Sequence, residues 1–363
     1  MGVAPMSAPA DANTEILQLM QHCMIQAQEM SAAHIAISMV SHDHRIESFV
    51  AGDRMLDKGQ LEGIEKLHEM VARSVEQWEP PPEDKSLGPS YACYNAAAWS
   101  IGCDYLVWLI EAEMYRVREG GEAPLRVGFW LGQQPETMMD IGRRQAWVEN
   151  VFRPALSLIG AVEDSRAILG RRSRIMTSRP ICEASRAGEA VPRYRTPFKV
   201  IDDEQAPVTI TLREAGNWTY RNSDLAAWYR FALNLEAMGE RVVFVRDTAK
   251  AFEPIAGFET APHASLDLVA RMSLYESAKA NLFVANGPAT LAIYSDRPWL
   301  MFVPVEPEDS PYLPNRASFW RDQQGVAVGE QYPWSTKAQR IVWEQATYGA
   351  ICRAWGELRS RLE

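Results

Sequence analysis

Three short polar stretches follow directly on apolar runs in the second half of the chain. Arg213 and Glu214 follow Val208 to Leu212 (VTITL), Arg246 and Asp247 follow Arg241 to Val245 (RVVFV), and Asn286 and Gly287 follow Asn281 to Ala285 (NLFVA). Open parallel sheets bind ligands beyond the carboxyl ends of their strands, so these are the places where a charged side chain can meet one. Asn286-Gly287-Pro288-Ala289-Thr290 is the most informative turn. Glycine allows a positive φ and close backbone approach, and proline suits the first position of a helix. The amides of Ala289, Thr290 and Leu291 would then point out of a helix start, where a phosphate is held, with the Thr290 hydroxyl adding a bond. The stretch is neither a P-loop nor a Gly-x-Gly-x-x-Gly fingerprint. The plainer alternative is a strand-to-helix turn with no ligand.

The loop from Arg213 to Ser223 joins the first of these runs to a helix. Arg213 and Arg221 can take a phosphate bidentately, and Trp218 or Tyr220 can stack on a base or a sugar face. Ser223 is the expected N-cap. The alternative is a surface loop holding a local Arg–Glu ion pair. Elsewhere the chemistry is sparse. His42-Asp43-His44 reads as an exposed loop, and His263 as a surface residue before a helix. No Gly-x-Ser-x-Gly elbow or His-Glu-x-x-His is present, nor an Asp-x-Asp metal motif, so no metal and no cofactor is expected.

The elements that must position these residues follow from periodicity. Helices are predicted at 14–31, 59–77, from Asp104 to Arg118, at 143–158, from Ser223 to Met238, from Leu266 to Ala278, and briefly from Pro288. Strands are predicted at 34–40, 125–131, and over the three runs above, with a fourth from Pro298 to Val303 (PWLMFV). Strands separated by helices require crossovers, hence a parallel sheet. Residues 171–207, rich in Arg and Pro, read as a linker, with contact to an anion as the functional alternative. Residues 304–335 are irregular and aromatic-rich, and 336–361 reads as one closing helix.

At 363 residues the chain favours two domains. Its net charge of −10 disfavours duplex nucleic acid as a partner. Five cysteines without a Cys-x-x-Cys indicate neither a disulfide framework nor a zinc ribbon, and point to a reducing, cytoplasmic setting. Residues 1–13 read as a loose tail rather than a signal peptide, and no membrane span is expected. Peripheral attachment to a membrane stays open.

Residues 208–302 resemble the nucleotide-binding domain of GT-B-type glycosyltransferases, most of all the heptosyltransferase-like group. The resemblance rests on VTITLREAGNWTYRNS, AMGERVVFVRD and NLFVANGPATLAIYSDRPWLMF. It implies an α/β fold of two Rossmann-like domains facing across a cleft, with an N-terminal acceptor domain at 1–200, a nucleotide-sugar domain at 201–335, and a closing helix at 336–363 packing back on the first domain. It also implies transfer of a sugar from a nucleotide-sugar to a glycan or lipid-linked acceptor. The donor diphosphate would meet Asn286, Gly287, Pro288, Ala289 and Thr290, with Arg213 or Arg221 neutralising charge and Glu214 and Asp247 at the same sheet edge. A general base would come from Asp104, Glu111, Glu113 or Asp140. The turn reads Asn-Gly-Pro where that group has Asp-Thr-Gly, and no His follows. A sugar-nucleotide epimerase and a non-catalytic binding protein of the same architecture therefore remain as alternatives.

Overall fold

A computed structural model describes residues 34–40, 46–52, 80–96, 102–131, 141–173, 177–199, 205–216, 219–310 and 312–362. The chain forms two units, 1–79 and 80–363. In the first, β1 (His34–Val40) and β2 (Ile46–Gly52) pair antiparallel, His34 opposite Gly52. The helices expected at 14–31 and 59–77, and His42 and His44, lie outside the described residues.

Within 80–363 two all-parallel sheets form. The first has the order β5-β4-β3-β6, built from β3 (Tyr91–Asn95), β4 (Arg126–Trp130), β5 (Val162–Glu163) and β6 (Arg171–Arg172). Helix α1 (Asp104–Arg118) connects β3 to β4 over the predicted span, and Gly120 follows it at φ 74°. Helix α2 then runs from Ile141–Trp147 through a π turn, Val148–Phe152, into Arg153–Ser157. Pro154 accounts for the wide turn, because it has no N–H to donate and its ring would crowd the carbonyl four residues earlier.

The second sheet has the order β12-β11-β10-β7-β8-β9. Its strands are β7 (Val208–Thr211), β8 (Val242–Val245), β9 (Glu259–Thr260), β10 (Ala280–Val284), β11 (Trp299–Phe302) and β12 (Gln339–Val342). The four central strands are buried at every position, as continuous apolar runs covered on both faces should be. Thr209 and Asn281 are buried among them and satisfy each other through a 2.6 Å hydrogen bond. Helix α4 (Leu225–Ala237) is capped by Asp224, whose carboxylate accepts from the Ala227 amide. Ser223, the expected cap, instead accepts from the Arg213 amide at 2.9 Å. The predicted helix over 266–278 divides into α5 (Pro262–Leu266) and α6 (Leu268–Ser277) at Asp267, which caps the second piece.

The span 336–361 is not one helix. Gln339–Val342 adds a parallel edge strand with Gln339 opposite Trp299, and the helix α8 begins only at Tyr348 (Tyr348–Leu362). Gln339 explains the choice, since its buried amide donates to the carbonyls of Ser295 and Arg297 and fixes the strand there. Helix α8 does not pack back on the first sheet. Ile351, Trp355 and Leu358 are buried with Trp228, Phe231 and Leu300 against its own sheet. Each such burial is worth about 1.5–3 kcal/mol, which docks a helix that would be marginal alone.

Nor is 171–207 an open linker. Arg171–Arg172 is the edge strand β6, too short for periodicity to reveal, and Arg179–Arg186 forms α3. Among the described residues, arginines of this stretch that the functional alternative would offer to an anion bind within the chain. Arg171 grips Glu111 at 2.7 and 3.1 Å under the Tyr115 ring. Arg179 pairs with Glu183, and Arg193 and Arg195 meet Asp296. Tyr194, fully buried, stitches the sheets together: its amide donates to Tyr294 and its hydroxyl to the Leu106 carbonyl. One apolar core accordingly holds Tyr94, Trp108 and Phe152 from the first sheet's layer with Phe283, Trp299 and Trp334 from the second. Among the described residues no helix is long and apolar enough to cross a membrane, and Cys93, Cys103, Cys182 and Cys352 are unbridged.

Candidate functional site

The chain runs β7, β8, β9 in one direction across the second sheet, then returns to lay β10 on the other side of β7. The crevice at such a reversal, beyond the carboxyl ends of the strands, is where α/β sheets hold ligands. Arg213 leaves β7 there, and Ala285 and Asn286 leave β10. The Arg213 side chain is bonded to Asn222, whose amide in turn donates to the Ala215 carbonyl. Arg221 closes a single 3-10 turn (Thr219–Arg221) and donates to the Ala285 carbonyl at 3.1 Å. Two guanidinium groups from one loop thus bracket the reversal. Burial lowers the pKa of both, and the Arg213 charge lowers that of Arg221 further. Both remain protonated, because the guanidinium pKa starts so high. Crowded, partly desolvated positive charge of this kind favours an incoming anion.

The amides of the next turn are differently placed than expected. Ala289 donates to the Asn286 side chain at 2.9 Å, Thr290 to the Gly287 carbonyl at 3.1 Å, and Leu291 to the Pro288 carbonyl at 3.2 Å. The helix that follows, α7 (Thr290–Ile293), is a single turn with Ala289 and Leu291 fully buried. The reading of 286–290 as an amide cradle is therefore corrected, because the asparagine and two tight turns already accept from those donors. Asn286 and Pro288 shape this closed turn. Gly287 is needed for proximity rather than for a positive φ. A Cβ placed on it would lie 2.8 Å from Cys103 Cβ and 2.9 Å from its sulfur.

Cys103 stands immediately before α1, so the carboxyl-end loops of the two sheets meet at this contact. Gly287→Ala is expected to cost about 1–3 kcal/mol by overpacking. Adding Cys103→Gly should recover most of that loss in a chemical-denaturation series. Strictly additive costs would show that the two residues do not touch.

The remaining sequence candidates separate clearly. Glu214 is engaged within the chain. It forms a buried ion pair with Arg246 at 2.5 Å, with Lys250 at 3.5 Å. Asp247 is tied to the backbone, accepting from the amides of Glu214 and Thr248. Glu111 and Glu113 are engaged by Arg171 and Arg116. Asp104 is exposed at the first turn of α1, and its charge acts on Arg221. Asp140 and Trp218 lie outside the described residues. Burial pushes the Cys103 thiol up to about 12, so it is no nucleophile at neutral pH. His263 is exposed, and among the described residues no three His, Cys, Asp or Glu side chains gather as a metal site.

Tyr220, a predicted stacking residue, is partnered by a residue that the sequence did not single out. Its ring lies on Tyr312 with centroids 3.8 Å apart and planes at 21°. Tyr312 comes from the irregular 304–335 segment, where the only signal was a general richness in aromatics.

No protein-family model and no curated protein matches the chain. Among solved structures it is similar to the dodecameric iron-containing heptosyltransferase TibC in complex with ADP-D-β-D-heptose, at 15% identity over 72% of this chain and 74% of that one, with a TM-score of 0.41. It is similar to the bacterial iron-containing dodecameric glycosyltransferase TibC from enterotoxigenic E. coli H10407, at 16% identity over 73% and 75%, with a TM-score of 0.42. A family 9 glycosyl transferase from Veillonella parvula DSM 2008 is similar at 9% identity over 58% of this chain and 66% of that one, with a TM-score of 0.30.

Proposed function

We propose that the chain is a glycosyltransferase that binds a nucleotide-sugar at the reversal between β7 and β10 and passes the sugar to a glycan or lipid-linked acceptor. The observation that carries this reading is the pair of partly desolvated guanidinium groups, Arg213 and Arg221, crowded at that reversal beside two stacked tyrosine rings. Charge there suits a diphosphate and a flat surface suits a base, at the sheet edge that selects ligands in this architecture. The sequence pattern of residues 208–302 supports the same reading.

In the proposed reaction the acceptor oxygen bonds to the anomeric carbon as the bond from that carbon to the diphosphate oxygen breaks. The electron pair leaves with the nucleoside diphosphate, and Arg213 and Arg221 stabilise its charge. The acceptor proton passes to a carboxylate. We assign that role to Asp104, which is exposed at the start of α1 and whose charge acts on Arg221 at the same site.

Calorimetric titration of the folded chain with ADP, GDP, UDP and CDP tests the donor site. Saturable binding of at least one is expected, weakening as ionic strength rises. Heat-silent titrations with the whole panel would overturn the reading.

A further inference from the structure

Tyr220 and Tyr312 lie far apart in the chain and are 37% and 36% exposed, yet their rings stack at 3.8 Å. Both are held by groups other than each other. Tyr220 sits in the 3-10 turn that Arg221 ties to Ala285. Tyr312 sits on a loop closed by a dense polar knot. Its amide donates to the Ser310 hydroxyl at 3.1 Å, and its carbonyl accepts from the Asn315 amide at 2.9 Å. Asn315, itself buried, donates to Glu306 at 2.9 Å, and Glu306 also holds Ser310. Arg316 fastens the loop again through the Ser310 carbonyl at 2.7 Å.

A loop this heavily bonded does not need an exposed tyrosine for its own stability. Ser310 and Asn315 hold the amide and the carbonyl of Tyr312 itself, while part of the ring stays in solvent. A rigid aromatic ring held half-exposed loses little conformational entropy when another flat ring settles on it. Tyr220 is adjacent in sequence to Arg221 and feels the charge of Arg213, so the stack and the two guanidiniums belong to one site.

Resting on the nucleotide reading above, we infer that Tyr312, presented by the knot of Glu306, Ser310, Asn315 and Arg316 and backed by Tyr220, is the platform on which the donor's base stacks. Arg213 and Arg221 hold the diphosphate while the stacked tyrosines hold the base. The platform recognises a π face rather than a hydrogen-bonding edge, so it separates nucleotides from bare phosphates more strongly than one base from another.

The test titrates the full chain with a nucleoside diphosphate that binds it and, in parallel, with inorganic pyrophosphate. Tyr312→Ala is expected to weaken the nucleotide about ten- to a hundredfold, the range for losing one base–aromatic stack, and to leave pyrophosphate unchanged. Tyr312→Phe, which keeps the ring, should bind the nucleotide within about threefold of the parent. Equal weakening of nucleotide and pyrophosphate would assign Tyr312 a purely structural role and overturn the inference. So would unchanged nucleotide binding by Tyr312→Ala; in both cases the glycosyltransferase reading would stand. Failure of the parent to bind any nucleotide would overturn that reading and this inference with it.

Discussion

Glu214→Ala is expected to destabilise the protein by about 3 kcal/mol, lowering its melting temperature on the order of 5 °C. The Glu214 and Arg246 side chains are only 9% and 6% exposed, and the guanidinium makes two bonds to the carboxylate. Removing the carboxylate leaves a buried cation, and breaking such a pair costs about 3–5 kcal/mol. The lower end applies because Glu253 stands 3.4 Å from Arg246 and its carbonyl accepts a further bond. Replacing both partners by apolar side chains, as in Glu214→Leu with Arg246→Met, should restore most of the loss, since a buried pair exchanged for well-packed hydrophobic residues is often nearly neutral.

The pair also carries a pH signature. Burial alone would raise the Glu214 pKa, but the bonds and charges of Arg246 and Lys250 outweigh it and hold the carboxyl below its ordinary value. A carboxyl depressed in the folded state stabilises above its unfolded pKa, about 4.3, and that stability disappears as pH falls through the folded value. The difference in melting temperature between the parent and Glu214→Gln should therefore be full at neutral pH and close in acid below that point. A gap that stays constant down to acid unfolding would mean that the pair does not ionise as the geometry requires.

Arg213→Ala and Arg221→Ala are each expected to weaken nucleoside diphosphate binding about ten- to a hundredfold, the range for one charge-assisted hydrogen bond. Arg213→Lys should recover only part of the loss, because an ammonium does not reproduce the planar fork. Both effects should shrink at high salt, as contacts to a partly exposed anion do. Calorimetry on variants whose circular dichroism matches the parent gives the comparison. Unchanged affinity in the double variant would remove the two guanidiniums from the site.

Much of the second sheet was legible beforehand. VTITL, RVVFV, NLFVA and PWLMFV are nearly continuous apolar or β-branched runs rather than alternating ones, the pattern of a strand covered on both sides. Asp104–Arg118 and Leu225–Ala237 show helical spacing between recognisable stop signals, and Gly239 follows the second at φ 81°. The two-residue strands and Gln339–Val342 were not legible. Their place depends on partners remote in sequence: Ala92 beside Arg171, and the Ser295 and Arg297 carbonyls around Gln339. Arginine-rich 171–207 reads as a linker because a list of residues does not show that Glu111, Glu183 and Asp296 stand opposite its arginines.

Side-chain polarity along a strand follows local burial, so the residues alone are enough to give the parallel α/β character and the strand ends at which Arg213, Arg246 and Asn286 emerge. Which of those groups keep bonding capacity for a ligand depends on what the fold brings beside them. Glu214 was taken by Arg246, the amides of 289–291 by Asn286 and its own turn, and Tyr220 by Tyr312. Hydrogen bonds and ion pairs saturate within a few ångströms, so whether a polar group still has something to offer is a property of its neighbours in space.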